Sequence, residues 1–261
     1  MSSECAHFIK KIICSSPQTI EKMIEFCKQE IGQTITDHEQ LLTAMKTLLN
    51  VETESGILSH PKFEKYIGRR QAETEKNNRL LPYGPKDNTG LLDNFNIDET
   101  LDQFAVLYPE FLHINFQMID FEKMNTELAK FHPGKMGSKT KMGSVLNTDV
   151  SSGYGKHWFC IFFDLNMRTL EYFNSSGNPP HPLVHKWLVK TLKQLHDIGK
   201  PCKLIRAAPY QLQYDNHSCG VYCLAYMYYR LQGKKPNWFA ESGINDRDMV
   251  EFRKVLFRKH K

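Results

Sequence analysis

No stretch of the chain reaches the about eighteen uninterrupted apolar residues of a membrane-spanning helix. No internal repeat and no low-complexity tract occurs, which excludes solenoid and propeller architectures. The seven cysteines, at positions 5, 14, 27, 160, 202, 219 and 223, are odd in number and contain no CxxC pair. That argues against a disulfide scaffold and for free thiols in a reducing compartment. The start, MSSECAHFIKKIICSSP, has charges inside its only apolar patch and does not read as a secretory signal. The expectation is a soluble, intracellular chain.

What is present is enough for a large domain and a smaller one: 261 residues, 41% of them apolar. The net charge of +5 is uneven, because residues 1–84 balance while the last nine, RKVLFRKHK, carry five bases and no acid. Cations near a helix C-terminus account for the tail without a nucleic-acid partner. A second basic cluster, Lys130, Lys135, Lys139 and Lys141, lies in a Gly-containing segment without interleaved aromatics, and leaves a nucleic-acid contact open.

The first part of the chain is helical. PQTIEKMIEFCKQEI places Ile20, Met23, Ile24 and Cys27 on one face, and DHEQLLTAMKTLL starts at a capping Asp37. The Pro-, Gly- and Asn-rich run NNRLLPYGPKDNTG, residues 77–90, marks a boundary. The division expected is a helical arm over 1–84 and a core over 85–261. Beyond it, NIDETLDQFAVLY reads as a capped helix, LHINFQM as a half-buried strand, and VHKWLVKTLKQL as a helix stopped by Gly199. Strands and helices mix without a βαβ rhythm, which predicts an α+β fold.

Two segments carry chemistry. WFCIFF and TLEYF, joined by DLNMR, predict a hairpin; symmetry about Leu165 and Asn166 would set His157 opposite Asn174, with Cβ atoms about 5 Å apart. Alone, His157 is an ordinary strand-end histidine and Asn174 an ordinary turn residue; side by side they form a base and the group that orients it. In YDNHSCGVYCLAYMYYRL, Ser218 predicts an N-cap, so Cys219 opens a buried helix whose free amides and dipole would lower its pKa and favour a thiolate. Gly220 would leave room for a substrate backbone. Gln213, on the loop before, would share an oxyanion with the Cys219 amide. Cys223, one turn on, reads as core. A metal site of His217, Cys219 and Cys223 lacks a fourth ligand.

The order HW, strand, turn, strand ending in Asn, then a Gln six positions before CG, resembles the adenain and SUMO-protease cysteine peptidases. The runs NTGLLDNFNIDETL, VLNTDVSSGYGKHW and EYFNSSGNPP are most similar to polyprotein-processing members from large DNA viruses. The resemblance implies a papain-like, adenain-like cysteine protease core with a mixed sheet. It implies Cys219 as nucleophile, His157 as base and acid, Asn174 as its orienter and Gln213 as oxyanion donor. Trp158 matches the aromatic after the histidine; it would pack beside that ring as a structural rather than a chemical residue and, with Gly220, border the substrate-binding side. Ser218 stands where most relatives have Asp or Glu, and Asn174 where many have Asp. No metal or organic cofactor is implied. The expected role is cleavage of a viral structural polyprotein after Gly-Gly during virion maturation, in host-cytoplasm assembly sites and the virion. Two alternatives stay open: an isopeptidase acting on ubiquitin or SUMO modifiers, and a non-catalytic binding module on the same fold.

Overall fold

The computed structural model describes residues 4–6, 13–87 and 89–258. They divide into two units, one holding the chain up to Tyr83 with the described residues from Leu256 on, the other running from Gly84 to Val255. The expected core therefore yields its last described residues to the helical unit. There the Arg258 amide donates to the Pro82 carbonyl at 3.0 Å and its guanidinium lies 3.8 Å from the Tyr83 ring centroid. Lys259, His260 and Lys261 of the basic tail lie outside the described residues.

The helical unit contains α1 (Pro17–Ile31), α2 (His38–Leu49), α3 (Glu54–Ser59), α4 (Pro61–Ile67) and α5 (Arg69–Arg79). Ser16 and Asp37 cap α1 and α2 by accepting from the Thr19 and Gln40 amides, which satisfies donors that a helix start leaves free. Ile20, Met23, Phe26 and Cys27 bury one face of α1 among Leu41, Met45, Ile57 and Phe63. One expectation fails here: Cys5 and Cys14 form a disulfide, with Cα atoms 4.9 Å apart. Sequence spacing could not show that residues 4–6 return to the end of α5, where Ala6 donates to the Arg79 carbonyl at 2.8 Å and Leu81 to that of Glu4 at 2.7 Å. The buried Glu54 carboxylate fixes the other partner by accepting from the Cys14 and Ser15 amides. Cys27, Cys160, Cys202, Cys219 and Cys223 are free.

The second unit begins with α6 (Asn94–Leu107), capped by a reciprocal pair of bonds between Asp93 and Asn96. There follow β1 (Phe111–His113), β2 (Gln117–Met118), α7 (Glu127–Lys130), β3 (Lys141–Asn147), β4 (Trp158–Asp164) and β5 (Thr169–Phe173). The remainder is α8 (Pro182–Asp197), β6 (Lys203–Arg206), α9 (Cys219–Leu231), α10 (Trp238–Glu241) and α11 (Asp246–Leu256). The sheet order is β1-β3-β4-β5-β6, with β2 also on β3. The β3–β4 and β4–β5 pairs are antiparallel, and the pairs made by β1, β2 and β6 are parallel. This is a mixed sheet in an α+β unit.

Its two faces are covered by different helices, which is why β3 and β4 are buried at every residue. Val184, Trp187, Leu188 and Leu195 of α8 pack on Phe159, Ile161, Phe163 and Leu170. On the other face α9 packs on β3 and β4, and Tyr226 stacks on Phe173 with centroids 4.3 Å apart. Gly143 in β3 permits that closeness, since a Cβ there would meet the Phe111 ring at 2.9 Å and the Met227 sulfur at 3.1 Å.

Three local readings change. LHINFQM is two strands, not one, because the Phe116 amide turns away to the Asp98 carboxylate at 2.8 Å. Lys141 starts the central β3 with its ammonium 2.9 Å from Glu110, and Lys139 donates to the Pro109 carbonyl, so half of the supposed basic loop is already engaged. The β4–β5 hairpin is symmetric about Asn166 and Met167, since Asp164 pairs with Thr169. Asp164 accepts the Asn166 and Met167 amides, and Arg168 takes φ +54°, giving a four-residue turn.

Candidate active site

The changed register moves each partner by two residues, and a two-residue shift keeps side chains on the same face. His157 just before β4 and Asn174 just after β5 therefore still meet, with the imidazole Nε2 2.7 Å from Asn174 Oδ1. The Ser176 amide, which can only donate, lies 3.0 Å from the same Asn174 atom, so that atom is the oxygen. His157 Nε2 is then the donor and Nδ1 the basic nitrogen. Asn174 is 3% exposed and is held on its other side by Nδ2 donating to the Tyr172 hydroxyl at 3.1 Å. Burial pushes that phenol up to about 12, so it stays a neutral partner.

Cys219 opens α9, as expected, but the helix start is built differently. Ser218 makes no side-chain cap; its hydroxyl donates to Asp215 Oδ2 at 2.5 Å. Asp215 Oδ1 instead accepts the His217 and Ser218 amides at 3.1 and 2.9 Å. Burial works against this carboxylate, yet those bonds hold it below the usual aspartate range, so it is ionised at neutral pH. The spacing Asp215-x-x-Ser218 was the available signal for this residue in the sequence.

The thiol departs from expectation in sign. Burial pushes Cys219 up to about 11, although the backbone amides of Trp158, Gly220 and Cys219 itself pull it down. A helix terminus contributes up to about 2 kcal/mol in a partly buried site, less than the about 2.7 kcal/mol that a rise from 9.0 to about 11 represents, so it does not offset the loss of water around a residue this enclosed. Burial therefore favours the neutral thiol over the thiolate. The Trp158 amide that acts on the sulfur belongs to the residue that follows His157 in the chain.

Gly220 and Trp158 do not line open space. A Cβ on Gly220 would meet Leu92 at 3.1 Å, so the glycine accommodates a buried leucine rather than a substrate. The Trp158 indole donates to the Leu92 carbonyl at 3.0 Å and stands edge-on to Phe116. Gln213 is buried, its Oε1 accepting from Ser175 at 2.7 Å and its Nε2 3.0 Å from both the carbonyl and the carboxylate of Asp215. Cys223 is fully buried, its thiol pushed well up by burial and by Cys160. Among the described residues no group of three or more His, Cys, Asp or Glu side chains is arranged to hold a metal ion.

Against known proteins, the profile of the Ulp1 protease family, C-terminal catalytic domain, matches residues 145–261. The SUMO-1 cysteine protease of African swine fever virus from a South African tick isolate is 33% identical over 276 residues, covering 98% of this chain and 95% of its own. The cysteine protease of that virus's Badajoz strain is similar to the same extent, 33% over 276 residues. A crystal structure of the African swine fever virus protease superposes with a TM-score of 0.82 at 31% identity, over 100% of this chain and 97% of that one. A likeness of that extent places this chain in the Ulp1 protease family of cysteine endopeptidases.

Proposed function

We propose that Cys219 is the nucleophile of a viral maturation protease that cleaves structural polyproteins after Gly-Gly. The observation that carries the site assignment is the His157–Asn174 pair at 2.7 Å, next to the strand whose Trp158 amide bears on the Cys219 sulfur. Because burial favours the neutral thiol, the proposed activation is general-base removal of its proton rather than a preformed ion pair. His157 Nδ1 takes the thiol proton as the sulfur attacks the scissile carbonyl carbon, and the carbonyl π electrons move to oxygen. The Cys219 amide holds that oxyanion, and Gln213 joins it by releasing one of its two bonds to Asp215. Collapse expels the amine, which takes the proton from His157. Water, deprotonated by the same imidazole, then hydrolyses the thioester and restores the thiol.

Asn174→Ala removes the acceptor that fixes the His157 tautomer and is expected to lower kcat by about 100-fold with little change in KM. Asn174→Asp keeps the acceptor and should retain most of that rate. Steady-state kinetics on one peptide substrate compare them; equal losses in both variants would remove Asn174 from the orienting role.

The substrate is tested by incubating the purified protein with the structural polyprotein of its virus and, separately, with a SUMO conjugate, beside Cys219→Ala. Cleavage of the polyprotein after Gly-Gly is expected, at assembly sites in the host cytoplasm and in the virion. The name of the swine fever virus relative, a SUMO-1 protease, supports a second reading, an isopeptidase for ubiquitin-like modifiers. Preferential release of the modifier would replace the first reading with the second. The non-catalytic alternative requires that a Gly-Gly-directed electrophilic probe leave Cys219 unlabelled while labelling other thiols.

A further inference from the structure

Arg253, on α11, is 5% exposed, and among the described residues no carboxylate lies within salt-bridge distance of it. Its Nη1 donates to the Gly90 carbonyl at 2.8 Å and its Nη2 to the His217 carbonyl at 2.9 Å, while Nε is buried without a partner. Burying a guanidinium against neutral carbonyls is costly, and an arginine kept only for packing would be better replaced by an apolar side chain. His217 lies on the turn that leads into Cys219. The negative groups that act on the guanidinium are Asp215, Asp87 and the Cys219 sulfur, in decreasing order.

The mechanism requires negative charge to form on a sulfur at a helix start whose preceding turn already holds an ionised aspartate. Asp215 is held in its charged form at the same helix start. Further charge comes from Asp246 on α11, which accepts the Tyr214 and Asp215 amides at 2.9 Å. Cys223 on α9 also acts on the thiol, and His217 on the preceding turn has its Nε2 3.3 Å from Asp215; His157 stands just before β4. Arg253 is the buried cation in this set.

We propose that Arg253 is a positioning residue for the cleavage reaction: it fixes the His217 carbonyl of the nucleophile turn and supplies the positive charge that offsets Asp215 and Asp87 when the Cys219 thiolate forms. This rests on Cys219 being the nucleophile. Its failure is separable from a failure of that reading, because it is read from the chemistry of the thiol and not from turnover alone.

The test is the rate at which iodoacetamide alkylates Cys219, followed on the Cys219 peptide by mass spectrometry at about pH 8.5, in wild type, Arg253→Gln and Arg253→Lys. Loss of the charge in Arg253→Gln is expected to lower the rate about tenfold, the effect of a one-unit rise in thiol pKa, and to lower kcat/KM comparably. Arg253→Lys, which keeps charge but loses the two-pronged geometry, should restore the alkylation rate to within about threefold of wild type. A purely structural role predicts the opposite sign, since a loosened turn admits water and relieves the burial that raises the thiol. Faster alkylation in Arg253→Gln, or an unchanged rate, would overturn the proposal. If that variant does not fold, Arg253→Lys alone decides: a rate near wild type supports the proposal and a tenfold loss defeats it.

Discussion

Cys219→Ala and Cys219→Ser are each expected to lower peptide-bond cleavage by about 10⁴- to 10⁶-fold, the range lost when a covalent nucleophile is removed. The fold should hardly notice. Cys219 has few atoms to lose, and truncating so small a buried side chain costs on the order of 1 kcal/mol. Serine keeps the shape but ionises far less readily than the thiol, whose buried value is itself only about 11. Cys223→Ala, one turn along α9 and fully buried, is the control that should keep most of the activity. The wild-type alkylation rate of Cys219 is expected to rise about tenfold per pH unit between about pH 7 and 10, because the thiolate fraction does. His157→Ala should abolish cleavage yet leave that slope in place. A rate that levels off below neutral pH would instead mean a preformed thiolate–imidazolium pair, and the general-base mechanism would fall.

What could be read in the sequence about this site is what depends on neighbours along the chain. The change from polar to apolar at Ser218–Cys219 locates the helix start, and the strand-like runs WFCIFF, apolar throughout, and TLEYF, joined by the polar DLNMR, locate the hairpin. Even with its register misplaced by two residues the hairpin delivers His157 to Asn174, because side-chain direction in a strand repeats every second residue. What could not be read depends on distant packing. Leu92 fills the space over Gly220, Arg253 reaches the turn before Cys219 from α11, and Cys5 meets Cys14 through a return to α5. The thiol's pKa belongs to the same class. Its helix dipole is local and legible, whereas the burial that outweighs the dipole is contributed by the assembled fold. The β3 strand was hidden for a third reason, since Lys141 and Gly143 depress its local strand signal while its pairing with both β1 and β4 restores it.

The far end of the nucleophile helix carries the largest expected effect on stability. Arg230, 1% exposed, donates through Nε and Nη2 to the two oxygens of Glu171, at 2.7 and 2.8 Å, and its guanidinium lies 5.2 Å from the Phe162 ring centroid. Tyr226 donates to the same carboxylate at 2.5 Å, Thr169 donates to its other oxygen, and Arg230 also reaches the Lys234 carbonyl and, at 3.5 Å, Asp164. Arg230→Met leaves the fully buried Glu171 without its cation and is expected to destabilise the second unit by about 3–5 kcal/mol, measured as the urea midpoint. The pair need not be a net source of stability, because desolvating both charges consumes most of their attraction. Arg230→Met combined with Glu171→Met should therefore recover most of the loss, which is a coupling of on the order of 2–3 kcal/mol in a double-mutant cycle. Asp164 does not spoil that recovery, since its other oxygen is satisfied by the Asn166 and Met167 amides. The double variant would still lose something the midpoint does not register. The fork of Arg230 on Glu171 ties α9 to β5, the strand that leads directly into Asn174, so Cys219 and the group orienting His157 share one charged anchor. A double variant of near-native stability but at least about tenfold lower kcat would show that the buried charges serve alignment. Full stability with full activity would show that two methionines serve as well, and the anchoring role would be withdrawn.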